Sequence, residues 1–345
     1  LEDGESRPSD VSGCSLPSAQ GAEDPGAVWR LRGRGLMRMD TGESFDQALI
    51  AFRKAVELNP RDASGWAGIA TAIYTAASNG WWHQPQSEAF PLVADACTKA
   101  LGLDASEPTA LRVRARLAMD TRWDFPSAER DLNVALARAP GDSDVLVAYA
   151  EVMALRRKLE KANEFAKQAY RLNPADYFTL ATLYWVSLAS GRYKRALQAI
   201  DEIEALIPHP YLNQWARALV YNVIGQPDVT IRTTEKSLEQ LLETDRAPLA
   251  SALAVAYALV GRIDAATTIL TRLQERAEGA DGFRVPVASV LTALGRFDEA
   301  LDTLNEAVAI HDAGINYLAL VPAFRPLFDH PRYHRILEQV GIPHW

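Results

Sequence analysis

The sequence predicts an all-α chain: an α-solenoid, a right-handed superhelix of about eight stacked helical hairpins with a C-terminal capping helix. Three observations predict it. From Ala27 onward apolar residues recur at i, i+3, i+4 and i+7 with no sustained two-residue alternation. A small residue recurs in successive helices at Ala48, Ala94, Ala128, Ala162, Ala196, Thr230, Ala266 and Ala300, at intervals of 46, 34, 34, 34, 34, 36 and 34 residues. Proline follows that residue by twelve at Pro60, Pro140, Pro174 and Pro208, and glycine precedes it by five at Gly191, Gly225, Gly261 and Gly295. The small residue lets two helices approach, the glycine supplies a left-handed turn, and the proline ends one helix before the next begins.

The elements follow in chain order. Residues 1–26, LEDGESRPSDVSGCSLPSAQGAEDPG, carry almost no large apolar side chains, so burial does not offset the entropy of ordering them. They read as a flexible linker or the remnant of an upstream region. Residues 11–14, VSGC, have the form of a lipoprotein cleavage box, but the preceding residues lack the basic and apolar regions that such a signal needs. The array is expected over 27–313, with Ser44 and Gln47 capping the second helix of its first hairpin. The first interval is 34 plus 12, which places an insertion in the second repeat at ASNGWWHQPQS, around Trp81 and Trp82. Pro126 falls in the first turn of its helix, where a missing N–H costs nothing. Over 314–345 Pro322, Pro326 and Pro331 break the rhythm, and Tyr333, Ile336, Leu337 and Val340 are expected to cover the last apolar face as a cap.

Composition excludes several classes of function. Of 345 residues 48% are hydrophobic and 23% charged, with 20 glycines and 19 prolines, a composition that folds. The net charge of −8 disfavours a polyanion as the main partner, so no nucleic acid is expected. Two cysteines, Cys14 and Cys97, neither build a disulfide framework nor show zinc spacing. The longest apolar run, ASALAVAYALV from Ala250, is far short of the roughly 20 residues of a membrane span.

The segments WAGIA at Trp66, EKANEFAKQAYRLNP ending at Pro174 and GRYKRALQAIDEIEALIP ending at Pro208 resemble the tetratricopeptide repeat, and the resemblance covers 27 to about 313. A narrower likeness lies in LRGRGLMRMDTGESFDQALIAFRKAVELNPRDASGWAGIATAIY, RWDFPSAERDLNVALARAP and the closing AFRPLFDHPRYHRILEQVGIP. These are similar to the repeat region that follows catalytic or DNA-binding domains in bacterial regulators, such as class III adenylate cyclases and winged-helix activators. That resemblance implies a cytoplasmic regulatory module behind an upstream output domain. No cyclase, kinase or winged-helix residues are present, so no activity is carried over.

Walker, GxGxxG, GxSxG and HExxH motifs are absent, and the expected function is non-catalytic, without cofactor or metal. His330 and His334 stand i, i+4 but are separated by Pro331, and no carboxylate completes a ligand set by spacing. Arg30, Arg34 and Arg38 lie at i, i+4 and i+8 as a stripe, read either as a docking face or as a solvated outer face. Arg112 and Arg116 are placed to hold an anionic group on the inner helix of the third repeat. The register puts Phe178, Trp185, Leu212, Trp215, Leu219 and Asn222 on adjoining inner helices, where the indoles meet and Asn222 is available to a peptide backbone. Trp81, Trp82 and His83, with Tyr74 nearby, form a second candidate site in the inserted loop. Three functions are therefore open: a groove that binds a peptide or partner segment, a small-molecule sensor beneath the Trp81/Trp82 loop, and a scaffold self-associating through terminal repeats.

Overall fold

A computed structural model describes residues 24–38, 41–78, 81–82, 86–207, 210–237, 247–277 and 282–343. Sixteen helices among the described residues pair in chain order into eight hairpins. They are α1 (Ala27–Met37) with α2 (Gly42–Leu58), α3 (Ala63–Ser78) with α4 (Gln86–Leu103), α5 (Pro108–Arg122) with α6 (Phe125–Arg138), and α7 (Ser143–Leu155) with α8 (Leu159–Leu172). Then follow α9 (Tyr177–Ala189) with α10 (Tyr193–Leu206), α11 (Pro210–Val223) with α12 (Pro227–Thr234), α13 (Ala247–Leu259) with α14 (Ile263–Ala277), and α15 (Arg284–Ala293) with α16 (Phe297–Ala309). Two 3₁₀ turns, Ala313–Tyr317 and Pro322–Leu327, lead to a last helix, α17 (Pro331–Gln339). No strand occurs among the described residues. First helices pack on first helices, α3 on α5, α5 on α7, α7 on α9, α11 on α13 and α13 on α15, and Tyr184 of α9 donates to the Ala216 carbonyl of α11, so the inner face continues from one group to the other.

The repeated small residue is fully buried at Ala48, Ala128, Ala162, Ala196, Thr230, Ala266 and Ala300, where it sits between the helices of its hairpin. Ala94 is the exception and corrects the sequence reading, because it is exposed while Val93 beside it is buried. The helix-ending residues Asn59 and Ala139, together with Asp104, whose N–H bonds Ala100 O, confirm the shift. The first two intervals are thus 45 and 35 rather than 46 and 34. The capping residue also moves. Thr41 is the N-cap of α2, its hydroxyl accepting from the Ser44 N–H while Ser44 Oγ accepts from the Thr41 N–H; Gln47 takes no part in this box. Pro126 does lie in the first turn of α6, behind the N-cap Asp124. Of the expected linker, 1–23 lie outside the described residues, Cys14 among them, but Asp24–Gly26 belong to the fold. Asp24 accepts from the Gly26 N–H and pairs with Arg30.

Glycine takes the left-handed turn of the fifth to eighth hairpins, with φ of 70° at Gly191, 77° at Gly225, 78° at Gly261 and 73° at Gly295. In the third and fourth hairpins Trp123 (φ 52°) and Arg157 (φ 61°) occupy that same position despite their β-carbons. Such a backbone costs a non-glycine residue about 1–2 kcal/mol. Both residues touch the C-terminal segment. The Trp123 indole stacks on His311, centroids 4.1 Å apart and planes 5° from parallel, and Arg157 Nη1 donates to the Ala319 carbonyl at 2.9 Å. In the fifth hairpin Arg325 Nη2 donates to Tyr193 Oη at 2.8 Å. Gly341 closes the contact, because a β-carbon there would lie 2.8 Å from Trp123 O. The cap therefore does more than cover the last hairpin. Tyr333, Ile336, Leu337 and Val340 are buried as expected, but the segment also turns back onto the hairpin turns in the middle of the array. One apolar core accordingly runs from Ala115 to Ile342, and a second, from Ala48 to Leu117, serves the first hairpins and holds the buried Cys97.

Candidate functional site

The inner face carries an aromatic patch flanked by a charged row. Trp185 comes from α9 and Trp215 from α11, both half-buried, and their rings meet edge to face at 5.7 Å. A third ring, Tyr317, arrives from the returning C-terminal segment and lies 5.5 Å from Trp185. Tyr317 keeps 40% of its surface exposed and Phe178, at the start of α9, keeps 44%, so aromatic surface remains open to solvent beside the buried core. Phe178 packs edge-on against Tyr177 at 5.4 Å.

The charged row runs over α3, α5, α7 and α9. Tyr74 donates to Asp120 Oδ2 at 2.6 Å, Asn316 Nδ2 lies 3.5 Å from Asp120 Oδ1, Arg116 pairs with Glu151, and Thr182 donates to Glu151 Oε1 at 3.0 Å. Burial raises the Asp120 carboxyl above its ordinary range, while the Tyr74 hydrogen bond and the Arg116 charge oppose this. Burial, then the Asp120 charge, raises the Tyr74 hydroxyl well above its own. Burial works against the charge of Arg116, but Glu151 holds its pKa above the usual value. A folded-state carboxyl pKa above the unfolded value means the native chain holds the proton longer. The stabilisation from Asp120 is therefore full below about pH 4 and is lost as pH rises through the raised value. Asp120→Asn is expected to gain stability relative to the parent across that window, which thermal melts of both chains from acid to neutral pH measure. Parallel curves would refute the assignment.

Most residues singled out in the sequence fall among those the structure describes. The anion held by Arg116 is Glu151 of the same chain, and Arg112 lies half-buried one turn earlier in α5. Asn222 turns its Nδ2 to the Ala252 carbonyl of α13 at 2.8 Å, so its donor serves the chain itself. Trp81 packs on Phe45 at 5.0 Å and over Gly42, whereas Trp82 packs against the core of the first hairpins; the adjacent indoles diverge and both are half-buried. Tyr74 stacks on Phe90 at 6.2 Å and belongs to the charged row rather than to that loop. His83 lies outside the described residues. The arginine stripe is divided: Arg30 pairs with Asp24 and, at 2.6 Å, with Asp62, and Arg38 falls just beyond the end of α1. His330 caps α17, its Nδ1 accepting from the Arg332 N–H at 3.2 Å, and His334 Nε2 lies 2.5 Å from Phe328 O. No group of three or more metal-ligating side chains occurs among the described residues. Asp120, Glu151, Asn316 and Tyr317 were not singled out, because nothing in their local sequence announces that a C-terminal segment crosses this face.

Fold and face together define an all-α solenoid of repeated hairpins with a self-contacting inner surface. Among solved structures the chain is similar to an IFIT1 monomeric mutant bound to Gppp-AAAA, with a TM-score of 0.56 and 14% identity over 92% of this chain and 71% of that one. It is also similar to a human IFIT1 dimer with m7Gppp-AAAA, at 0.54 and 14% over 83% and 72%, and to a tetratricopeptide repeat protein from Parabacteroides merdae, at 0.49 and 13% over 81% and 98%. At these identities the likeness is one of fold. No family model matches the chain, and no curated protein matches it by sequence. No helix among the described residues is long and apolar enough to cross a membrane.

Proposed function

We propose that the chain is a non-catalytic interaction module that holds a peptide or partner segment on its inner face at Trp185 and Trp215, with Phe178 and the Tyr74–Arg116 row bordering the contact. The observation that carries this reading is Tyr317. The 3₁₀ turn Ala313–Tyr317 already lays an aromatic side chain on Trp185, a pattern for how a partner segment would engage the same patch. Half-exposed aromatics beside satisfied charges are the composition of interaction hot spots. Beyond this, the resemblance to repeat regions of bacterial regulators supports a cytoplasmic role in which occupancy of the face is passed to an output domain. The test is acrylamide quenching of tryptophan fluorescence with a panel of peptides carrying aromatic and basic side chains, on the parent chain and on Trp185→Ala and Trp215→Ala. Peptides are expected to shield the parent, and each substitution to weaken binding about tenfold or more, the scale of a hot-spot truncation. Equal binding by the doubly substituted chain would sink the proposal.

A further inference from the structure

A second site, separate from the aromatic patch, lies where the cap meets the fourth and fifth hairpins. A cavity of about 220 Å³ opens there, walled by Leu188, Leu320, Val321 and Phe328, with the guanidinium-bearing Arg157 and Arg325 on its lining. It has room for about seven waters at roughly 30 Å³ each, less than a drug-sized pocket and enough for a small metabolite. Its charge is unusual for a chain of net charge −8. Arg325 donates to Tyr193 Oη, a neutral partner. Burial, and the nearby charge of Arg325, bring the Arg157 pKa down to about 10, so Arg157 remains cationic at neutral pH. Arg157 also holds a left-handed backbone where four later hairpins use glycine. Arg157 thus keeps a strained backbone that glycine would relieve, and it lines this cavity.

We propose that the cavity binds a monocarboxylate on a short apolar body, its carboxylate between Arg157 and Arg325 and its chain against Leu188, Leu320, Val321 and Phe328. Guanidinium groups match a carboxylate through paired N–H donors. The Leu188, Val321 and Phe328 side chains on the lining suit a short aliphatic chain, which inorganic phosphate lacks. The same chemistry comes either from a free acid or from the C-terminus of a peptide ending in an aliphatic residue.

Isothermal titration calorimetry with isocaproate, isocaproamide, inorganic phosphate and Ala-Ala-Ala-Leu, with its terminus free or amidated, tests this. Isocaproate is expected to bind, with isocaproamide and phosphate weaker by about tenfold or more, one lost charged contact. Arg325→Gln and Arg157→Gly are each expected to weaken isocaproate by a similar factor. Glycine suits the backbone at 157, so that variant is expected to fold, which circular dichroism and melting verify. Binding of the free-terminus tetrapeptide identifies a chain end as the source, and its exclusion with isocaproate retained identifies a free acid. The proposal fails if no acid binds at millimolar concentration, if acid and amide or phosphate bind alike, or if both folded variants bind as the parent does.

Discussion

Phe324→Ala is expected to cost about 3–5 kcal/mol, the range for truncating a fully buried aromatic. Phe324 has no exposed surface, stacks on Tyr333 at 6.3 Å, and belongs to the 3₁₀ turn that packs on α11 and α15. The cost is read from the midpoint of urea unfolding at constant slope. Its location matters as much as its size. Because the C-terminal segment docks on Trp123, Arg157 and Tyr193, hydrogen exchange is expected to accelerate in the turns of the third to fifth hairpins as well as in α17. Acceleration confined to the last hairpin and cap would contradict the closed arrangement.

The second large effect reverses the usual sign of a helix substitution. Alanine is a better helix former than glycine by about 1 kcal/mol, so Gly→Ala inside a helix normally stabilises. At Gly68, in α3, a β-carbon would stand 2.3 Å from Phe52 Cδ1, and Phe52 is itself 2% exposed and without room to swing away. Gly68→Ala is therefore expected to destabilise by about 1–3 kcal/mol, the cost of overpacking a core. Gly35→Ala in α1, where nothing lies within 4 Å of the added carbon, is expected to be neutral or stabilising. Pairing Gly68→Ala with Phe52→Leu is expected to recover part of the loss, as a contact between neighbours predicts. A stabilised Gly68→Ala chain would show that the two helices separate more freely than their packing implies.

The repeat was legible because its signals are local and redundant: a buried small residue, a left-handed glycine and a helix-ending proline in one register. Where one signal stood alone it misled. In α4 alanines at 89, 94, 96 and 100 offer several registers, and without a proline at 105 the sequence does not choose Val93 over Ala94 as the buried position. The meeting of Trp185 and Trp215 was readable from the period, because both sit on neighbouring first helices. Tyr317 was not, since its contact with Trp185 spans most of the second half of the chain. Trp123 and Arg157 fell silent for a related reason, standing where the pattern asks for glycine and drawing their partners from beyond residue 310.

That return of the chain end has a consequence for how the protein is made. Arg157 and the Ala319 carbonyl are 162 residues apart, yet closing so long a loop costs only about 2 kcal/mol more than closing one a tenth as long. The obstacle is timing. During synthesis the third to fifth hairpins leave the ribosome well before the segment that covers their turns, and they wait with Trp123 and the apolar floor around Leu188 uncovered. A chain broken off before about residue 313 would present its middle, as well as its last hairpin, as the surface recognised by chaperones and proteases.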